Sequence, residues 1–320
     1  MFSYEKDILV KELDLWLDSR RVRPFSFASH AHSDHIARHK KILCSPPTAD
    51  LLHLRLKGVQ YQTLSFGRSL PLNGSIVSLH PAGHILGSAQ IKIESQRGSL
   101  LYTGDFRPGP SRTTEPMEIH TADTLIMETT FGRPHYRMPP RSESEQELLD
   151  LCSRLLKQGR TPVIFAYSLG KGQEILKILT DADLPVAVDY QILKYIPVYQ
   201  KYGVDFGKFR KFRRSDTQPG VILLPTTQRH HRFVQNITGV YTIYVSGWAI
   251  DANARYRFNV DEAIPISDHA DFNELLHFVE QVRPKEIYCT HGSRDFISVL
   301  RNAGFKAYPL EKNIQLQLDL

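Results

Sequence analysis

Residues 29–35, Ser-His-Ala-His-Ser-Asp-His, hold three histidines and one aspartate within six positions after an apolar run. His30 and His32 are two apart, so an extended chain points both imidazoles to the same side. Asp34 and His35 then fall on a turn. Neutral imidazole and carboxylate suit Zn²⁺ and also Mn²⁺ or Fe²⁺. The spacing predicts that one loop presents ligands to two adjacent metal ions; the alternative is a surface loop rich in histidine.

The H-x-H-x-D-H pattern of residues 30–35 resembles that of the metallo-β-lactamase superfamily. The resemblance implies three more ligands at strand ends, namely His84 in PAGH, Asp105 in YTGD and His291 in CTHG. It assigns two divalent metal ions, zinc or manganese, with Asp105 bridging them. Metal one takes His30, His32, His84 and Asp105, and metal two takes Asp34, His35, Asp105 and His291.

Two further segments are similar to the additional motifs of the β-CASP nucleases. Glu128 ends the apolar run 124–127, and His269 stands just before a predicted helix. The resemblance implies that Glu128, His269 and His291 fill the three motifs. In a two-metal phosphodiesterase, Asp34 and Asp105 would hold the attacking hydroxide in line, and His269 would act as general acid or as a clamp on the leaving oxygen. Glu128 would orient a ligand or His269; the alternative is a buried acid paired for structural reasons.

Several longer segments resemble the bacterial ligase-associated DNA exonucleases. They are His80–Gln90 (HPAGHILGSAQ), Thr103–Arg107, Thr130–Tyr136 and Ser246–Trp248. The resemblance implies hydrolysis of DNA phosphodiester bonds by an exonuclease of DNA repair, and an ATP-dependent DNA ligase as partner. The metal ligands do not separate this interpretation from a β-CASP ribonuclease acting on RNA. A small-molecule metallo-hydrolase and a non-catalytic nucleic-acid scaffold are further alternatives, less consistent with the complete set of motifs.

Candidate contacts to nucleic acid lie in the middle of the chain. Ser168 and Lys171 would stand at a helix N-terminus, where backbone N–H groups suit a phosphate, and Ser246 follows a predicted strand in the same way. Residues 208–214 interleave basic and aromatic side chains, which could follow a single strand by ion pairing and stacking. The alternatives are ordinary turns and a solvated basic face. The basic candidates in this segment are Lys208, Arg210, Lys211 and Arg213.

The elements that must position these residues alternate between strands and helices. The first 130 residues are dense in strands, whereas the middle alternates βα units and contains none of the metal ligands. This pattern indicates one domain interrupted by another. With it, the resemblance implies an α/β protein with a four-layer αββα metallo-β-lactamase sandwich, built from residues 1–140 and 262–320. An α/β β-CASP domain would be inserted at 141–261.

Local patterns predict several element boundaries. Ser142 with Glu145 forms a potential capping box for a helix over 142–158, and Asp271 with Glu274 forms another. Residues 314–318 predict a closing strand. Asp18, after the apolar run 15–17, is either an outer partner of a metal ligand or a turn residue.

Composition excludes several classes of protein. The 320 residues are 41% hydrophobic and 23% charged, close to the globular average. Neither an apolar run long enough for a membrane span nor a signal peptide is recognisable, so the expectation is a cytoplasmic protein without a membrane partner. The net charge of +6 is compatible with nucleic acid but is weak support alone. The three cysteines form no C-x-x-C pair, and Cys289 is expected in the core.

Overall fold

The computed structural model describes residues 2–4, 6–215, 220–311 and 314–315. The chain divides into two compact units. Unit 1 comprises the residues up to Pro110, Thr114–Tyr136 and the residues from His269 onward, and unit 2 comprises Ser111–Thr113 and Arg137–Asp268. The assignment of these units as a catalytic and an inserted domain stays a prediction.

Strands and helices follow one another along the described residues. The strands are β1 (Phe2–Tyr4), β2 (Ile8–Val10), β3 (Leu15–Leu17), β4 (Phe25–Phe27), β5 (Lys41–Cys44), β6 (Gln60–Thr63), β7 (Ser69–Leu72), β8 (Ser75–Pro81), β9 (Ala89–Ser95), β10 (Gly98–Tyr102), β11 (Thr124–Glu128), β12 (Thr161–Ala166), β13 (Val186–Val188), β14 (Arg210–Lys211), β15 (Val221–Pro225), β16 (Val240–Val245), β17 (Glu262–Ile264), β18 (Glu286–Thr290), β19 (Ala307–Pro309) and β20 (Ile314–Gln315). The helices are α1 (Pro46–His53), α2 (Arg141–Lys157), α3 (Lys171–Asp181), α4 (Tyr190–Leu193), α5 (Ile196–Lys201), α6 (Arg232–Gln235), α7 (Ala254–Phe258), α8 (Phe272–Val282) and α9 (Arg294–Asn302).

Unit 1 contains two mixed sheets that pack face to face. Within the described ranges, sheet A has the strand order β20-β1-β2-β3-β4-β5-β6 and sheet B the order β19-β18-β11-β10-β9-β8-β7. One apolar core joins them, with Leu17 and Phe27 from sheet A against Leu79, Ile91 and Leu100 from sheet B. Burial of these side chains between the sheets supplies the main driving force for this packing.

The outer face of sheet B is also buried, because successive strand residues point to opposite faces. Leu100 belongs to the inner core, whereas Leu101 packs outward against a cluster that includes Phe278 of α8 and Phe296 of α9. On sheet A, α1 connects the parallel strands β5 and β6 and contacts β6. A crossover helix must lie on one face of its sheet, and the inner face here is occupied by the core shared with sheet B, so we infer that α1 lies on the outer face. This is the predicted αββα sandwich.

Unit 2 is built on one parallel sheet, sheet C. Its order over the described residues is β14-β13-β15-β12-β16-β17, and every pairing in it is parallel. Val163 and Phe165 of β12 face a core completed by Tyr244 and by Phe258 of α7. Ile164 points the other way and is fully buried, on the face covered by α2 and α3. Helices on both faces explain the continuous apolar runs of these strands.

The two predicted capping boxes have different outcomes. Asp271 and Glu274 form the predicted capping box at the start of α8. The capping box at Ser142 is wrong, because α2 begins one residue earlier, after Pro140, and Glu145 pairs with Arg141 instead.

Two strands lie near the predicted segment ends. Strand β17, which the sequence placed in the second catalytic segment, pairs with β16 in unit 2. Ile314–Gln315 pair with β1, and the rest of the predicted closing strand lies outside the described residues.

In the described part of the chain, the helices all fall short of the length and apolar character that crossing a bilayer requires.

Candidate metal centre

The predicted metal ligands of unit 1 follow the ends of its strands and lie close together. His30, His32 and His35 follow β4, whereas Asp105 comes three residues after β10 and His291 directly after β18. Strands β10, β11 and β18 run parallel, so their C-terminal ends meet at the same sheet edge. This is why residues far apart in the sequence lie within a few ångströms of one another.

Asp105 lies at the middle of this group. Its Oδ2 is 3.2 Å from His35 Nε2, 3.7 Å from His30 Nε2 and 3.9 Å from His84 Nε2. Its Oδ1 is 3.9 Å from His291 Nδ1. One carboxylate therefore faces four imidazoles, three of them beyond hydrogen-bond distance.

The side chains form overlapping groups that could hold metal ions, with ligand atoms within 4.8 Å of one another. The groups are His30 with His32 and His84, Asp18 with His30 and His35, His35 with Asp105 and His291, and His84 with Asp105 and His269. The first and third correspond to the two predicted sites. Asp34 belongs to none of them: its side chain is 59% exposed and its Oδ2 lies 3.8 Å from His35 Nε2. Its role as a ligand stays a prediction.

The donor chemistry fits divalent cations. Burial, together with His35, holds the pKa of His30 well below its usual value, so its imidazole is neutral. His30 Nε2 is buried and has no hydrogen-bond partner among the described residues. Burial acts to raise the pKa of Asp105, but the facing His35 outweighs it and holds that pKa well below its usual range. Unprotonated nitrogen beside an ionised carboxylate is the donor set that Zn²⁺ and Mn²⁺ accept.

Asp18 fixes the orientation of His35. Its carboxylate accepts hydrogen bonds from the Ser29 backbone N–H at 2.7 Å and the Tyr102 hydroxyl at 2.8 Å, and lies 2.9 Å from His35 Nδ1. This leaves His35 Nε2 towards Asp105, as outer partners commonly orient ligating histidines. Burial opposes protonation of His35, but Asp105 and Asp18 raise its pKa well above the usual value. Asp18 is also a turn residue with φ of 44°, so both interpretations of it apply.

Two backbone features bring the loops close together. Gly104 has φ of 56°, and a Cβ there would collide with the Ser29 side chain. His291 itself adopts a φ of 53°, which is uncommon for a residue with a Cβ. Strain of this kind persists where the surrounding structure imposes it, often at functional sites.

Glu128 and His269 are in direct contact. His269 Nδ1 lies 2.8 Å from Glu128 Oε1, and the His269 ring is 4.6 Å from that of His84. Glu128 is buried, and its carboxylate accepts hydrogen bonds from the backbone N–H groups of Phe106 at 3.0 Å and Thr130 at 3.2 Å. The sequence did not reveal these two partners, because backbone donors give no residue-type signal.

The predicted phosphate contacts of unit 2 require a correction at Lys171. Its side chain is 1% exposed, and its ammonium lies 2.9 Å from Glu174 and 3.9 Å from Asp268. A buried, paired ammonium does not reach a phosphate in solvent. Ser246 is also buried, and its hydroxyl accepts a hydrogen bond from the Trp248 N–H as a cap. Ser168 is half-buried, and its contact with substrate stays a prediction.

The basic segment 208–214 lies at the edge of sheet C and is largely solvent-facing. Lys208, Lys211 and Arg213 are exposed, whereas Arg210 is half-buried on β14. The Lys211 ammonium lies 5.4 Å above the ring of Tyr190, which is 60% exposed. The sequence did not reveal Tyr190, because it lies about twenty residues away and only the sheet brings it near.

Cys289 is a core residue, as expected. Its side chain is buried in the outer core of sheet B, and burial raises the pKa of its thiol to about 12. A thiol with this pKa is neither a ready metal ligand nor a redox group.

Comparison with known proteins agrees with this geometry. Residues 258–314 match the RMMBL family, described as a Zn-dependent metallo-hydrolase RNA specificity domain. A protein of Opitutus terrae named "Probable DNA ligase" is 41% identical over 99% of this chain, which corresponds to 32% of that protein. This chain therefore spans about a third of the length of that relative.

Two more distant relatives carry nuclease names. An "RNase J-like protein" of Methanocaldococcus jannaschii is 26% identical over 83% of this chain and 80% of its own length. The "5' exonuclease Apollo" of Gallus gallus is 29% identical over 81% of this chain and 56% of its own length. The fold, the ligand cluster and these relatives support the metallo-β-lactamase/β-CASP nucleases as the family that this chain resembles.

Proposed function

We propose that this chain is a metal-dependent nuclease that hydrolyses phosphodiester bonds of DNA, as an exonuclease. The proposed reaction class is inferred from one observation. The Asp105 carboxylate lies among four imidazoles, those of His30, His35, His84 and His291, and only the His35 imidazole is within hydrogen-bond distance of it. Two groups of ligands that share or adjoin one carboxylate suit a pair of metal ions. Phosphodiester hydrolysis is the chemistry for which such pairs are commonly used.

The residues divide the task in the following way. His30, His32 and His84 would hold one ion, and Asp34, His35 and His291 the other, with Asp105 between them. Bound there, the ions would supply positive charge for the phosphate oxygens and activate water at neutral pH. Asp34, which is exposed at the rim of the cluster, would accept a hydrogen bond from the attacking water and align it.

His269 would protonate the leaving O3′. His269 Nδ1 is occupied by its hydrogen bond with Glu128. The other ring nitrogen, Nε2, is therefore the atom that would donate the proton. Because Glu128 is itself held by two backbone N–H groups, the imidazole has a fixed direction. Glu128 therefore acts as a positioning residue through His269.

DNA is the favoured substrate because of the Opitutus terrae relative. Nearly the whole of this chain aligns with one third of a protein named as a DNA ligase. A nuclease joined to a ligase would prepare the DNA ends that the ligase seals, so we also propose a DNA ligase as partner. The exonuclease assignment is supported by the name of the Gallus gallus relative.

The second candidate is a ribonuclease of the same mechanism. The match of residues 258–314 to a family described by RNA specificity, and the RNase J-like relative, favour it. In either case the exposed cations Lys208, Lys211 and Arg213 would contact the phosphate backbone, while Tyr190 would offer a ring for a base.

One experiment separates these candidates. The purified chain is incubated with Zn²⁺ or Mn²⁺ and with end-labelled DNA or RNA, each single- or double-stranded and with 5′-phosphate or 5′-hydroxyl ends. Progressive release of mononucleotides from DNA, with RNA degraded much more slowly, supports the proposal. The reverse preference supports the ribonuclease. Internal cleavage products at early times would contradict the exonuclease assignment, and an inert protein in every combination would contradict both.

A further inference from the structure

A second histidine cluster lies on β8 and on the segment that leads into β11. His80 Nδ1 is 3.3 Å from Glu118 Oε2, and His120 Nε2 is 3.0 Å from the same oxygen. The rings of His80 and His120 are 3.6 Å apart between centroids. Potential ligand atoms of all three residues lie within 4.8 Å of one another. None of these residues belongs to the candidate metal centre described above.

The distances suit a small cation. Two ligand atoms bound to one tetrahedral Zn²⁺ at about 2.0–2.2 Å stand roughly 3.3–3.5 Å apart. Glu118 Oε2 lies 3.3 Å from His80 Nδ1 and 3.0 Å from His120 Nε2, so a cation would replace these two hydrogen bonds with little movement of the side chains. Two histidines and one glutamate are a donor set that zinc sites use.

The surroundings hold two of the three residues, His80 and Glu118, in place without a cation. Ser78 Oγ lies 2.9 Å from His80 Nε2, the ring nitrogen remote from Glu118, and so fixes the direction of the ring. Glu118 is anchored through its backbone: its N–H donates to Pro81 O at 3.2 Å, and its carbonyl accepts from Gln90 Nε2 at 2.7 Å. An outer partner on a histidine and a pre-positioned carboxylate are both features of built metal sites.

Charge and access also favour a cation. The nearby ammonium of Lys92 is ion-paired with Glu94 at 3.1 Å, so its charge is largely offset. The Glu118 side chain is 53% exposed and that of His120 is 30% exposed, which leaves a path from solvent. Three donors leave a further position of a tetrahedral ion for water.

We propose that His80, Glu118 and His120 form an accessory site for a divalent cation of the zinc type, separate from the candidate catalytic metals. The cation would join the end of β8 to the segment before β11, and β8 leads directly into the loop that carries His84. Its role would be to stabilise the packing of β8 against the segment that precedes β11. The inference does not depend on the nuclease assignment.

The test is the number of zinc ions bound by the 320-residue chain. Wild type, H120A, E118Q and H277A are dialysed against the same free Zn²⁺ concentration, and bound metal is measured by mass spectrometry. His277 is the matched control, because it is an exposed histidine 3.8 Å from Glu280 but belongs to no group of three ligands among the described residues. We expect H120A and E118Q to bind one equivalent less than wild type and H277A.

Two outcomes would overturn the accessory site. One is an equal zinc content in all four proteins. The other is a zinc-soaked crystal with no anomalous peak within about 2.0–2.2 Å of His80, Glu118 and His120. Nuclease activity is measured in parallel on the same samples. Activity retained with one zinc fewer supports the accessory site, whereas inactive proteins with the expected zinc difference would contradict only the proposed function.

Discussion

The two units each bury a cluster of polar side chains. The clusters differ in how many of these side chains contact a partner within the cluster. In unit 2, Lys171 lies 2.9 Å from Glu174, and Arg141 contacts Glu174 and lies 3.0 Å from Glu145. In unit 1, the imidazoles of His30 and His84 stay 3.7 and 3.9 Å from Asp105. In the first cluster Lys171 and Arg141 each contact an anion directly, whereas in the second only His35 lies within hydrogen-bond distance of Asp105 and the other imidazoles that face it do not.

This contrast distinguishes a structural network from a binding site. Buried charges are tolerated when each has a partner, and breaking one pair costs several kcal/mol. A buried nitrogen without a hydrogen-bond partner, as His30 Nε2 is among the residues that the structure describes, is costly unless a ligand completes it. Substitutions in unit 1 should therefore act mainly on the nuclease rate, and those inside the unit 2 network mainly on stability.

The largest effect on the rate is expected for D34A, which should abolish hydrolysis while the fold is retained. Asp34 is 59% exposed, so its removal leaves no buried cavity, but it removes the carboxylate proposed to align the water. The measurement is nuclease activity in buffers with defined Zn²⁺ or Mn²⁺, with circular dichroism to check the fold. D295A is the control, since Asp295 is a similarly exposed aspartate of unit 1. Near-normal activity of D34A would contradict the two-metal mechanism.

The sequence could predict most of the unit 1 cluster because its residues follow strands. His84, Asp105 and His291 each stand just beyond a strand, and parallel neighbours deliver such residues to one edge. The resemblance to a known family added the order of the ligands. The sequence left the role of Asp18 open, because its partner His35 is defined by the packing of the loops and not by spacing.

The burial and pairing of Lys171 could not be predicted from the sequence, for a physical reason. A lysine at a helix start is compatible with phosphate binding or with a buried ion pair, and both produce the same local sequence. Glu174, three residues from Lys171, was a usable signal for pairing, but Asp268 lies almost a hundred residues away. Similarly, Ser142 has a capping sequence, but Pro140 begins the helix earlier with its fixed φ.

H269A should lose about 10²–10⁴-fold in rate, the usual contribution of general acid catalysis, while both metals remain bound. A substrate with sulfur in place of the bridging O3′ needs little protonation of its leaving group and should largely rescue the variant. The measurement is single-turnover cleavage of both substrates together with metal content. H277A serves as the control for loss of an exposed histidine from the same helix region. Loss of a metal from H269A, or an equal defect on both substrates, would argue against the general-acid role.

E128Q should lose about 10–100-fold in rate, the range found when the outer partner of a site residue is changed. The substitution keeps the shape of the side chain but removes the charge that holds His269 Nδ1. E286Q is the matched control, because Glu286 lies on the neighbouring strand β18 and its carboxylate accepts a hydrogen bond from the Tyr288 hydroxyl at 3.1 Å, away from His269. If the sulfur substrate restores the rate of E128Q as it restores the rate of H269A, Glu128 acts through His269 in protonating the leaving group. An unchanged rate would leave Glu128 a structural acid.

The triple variant K208A/K211A/R213A should weaken binding of single-stranded substrate without changing the single-turnover rate at saturation. Each lost phosphate contact lowers the slope of log affinity against log salt by about 0.7 for a single strand, so the slope should fall by about 2. The measurement is affinity over a series of salt concentrations. K57A is the single-site control at an exposed lysine of unit 1. An unchanged slope would make residues 208–214 a solvated face.

K171M, like the triple variant, should leave the rate at saturation unchanged, but it should lose about 3–5 kcal/mol of stability, as for removal of one partner from a buried ion pair. The loss arises because Glu174 and Asp268 keep their charges in a buried site without the ammonium between them. Urea denaturation measures the stability, and KM for DNA measures the substrate contact. K177M on the same helix is the control: Lys177 pairs with Asp181 nearer the surface, and its loss should cost about 1 kcal/mol or less. If K171M does not fold, E174Q tests the same network, since it removes the anion that faces both Lys171 and Arg141. If K171M instead raised KM as much as the triple variant does and left stability unchanged, Lys171 would contact the substrate. The unit 2 cluster would then not be a purely structural network.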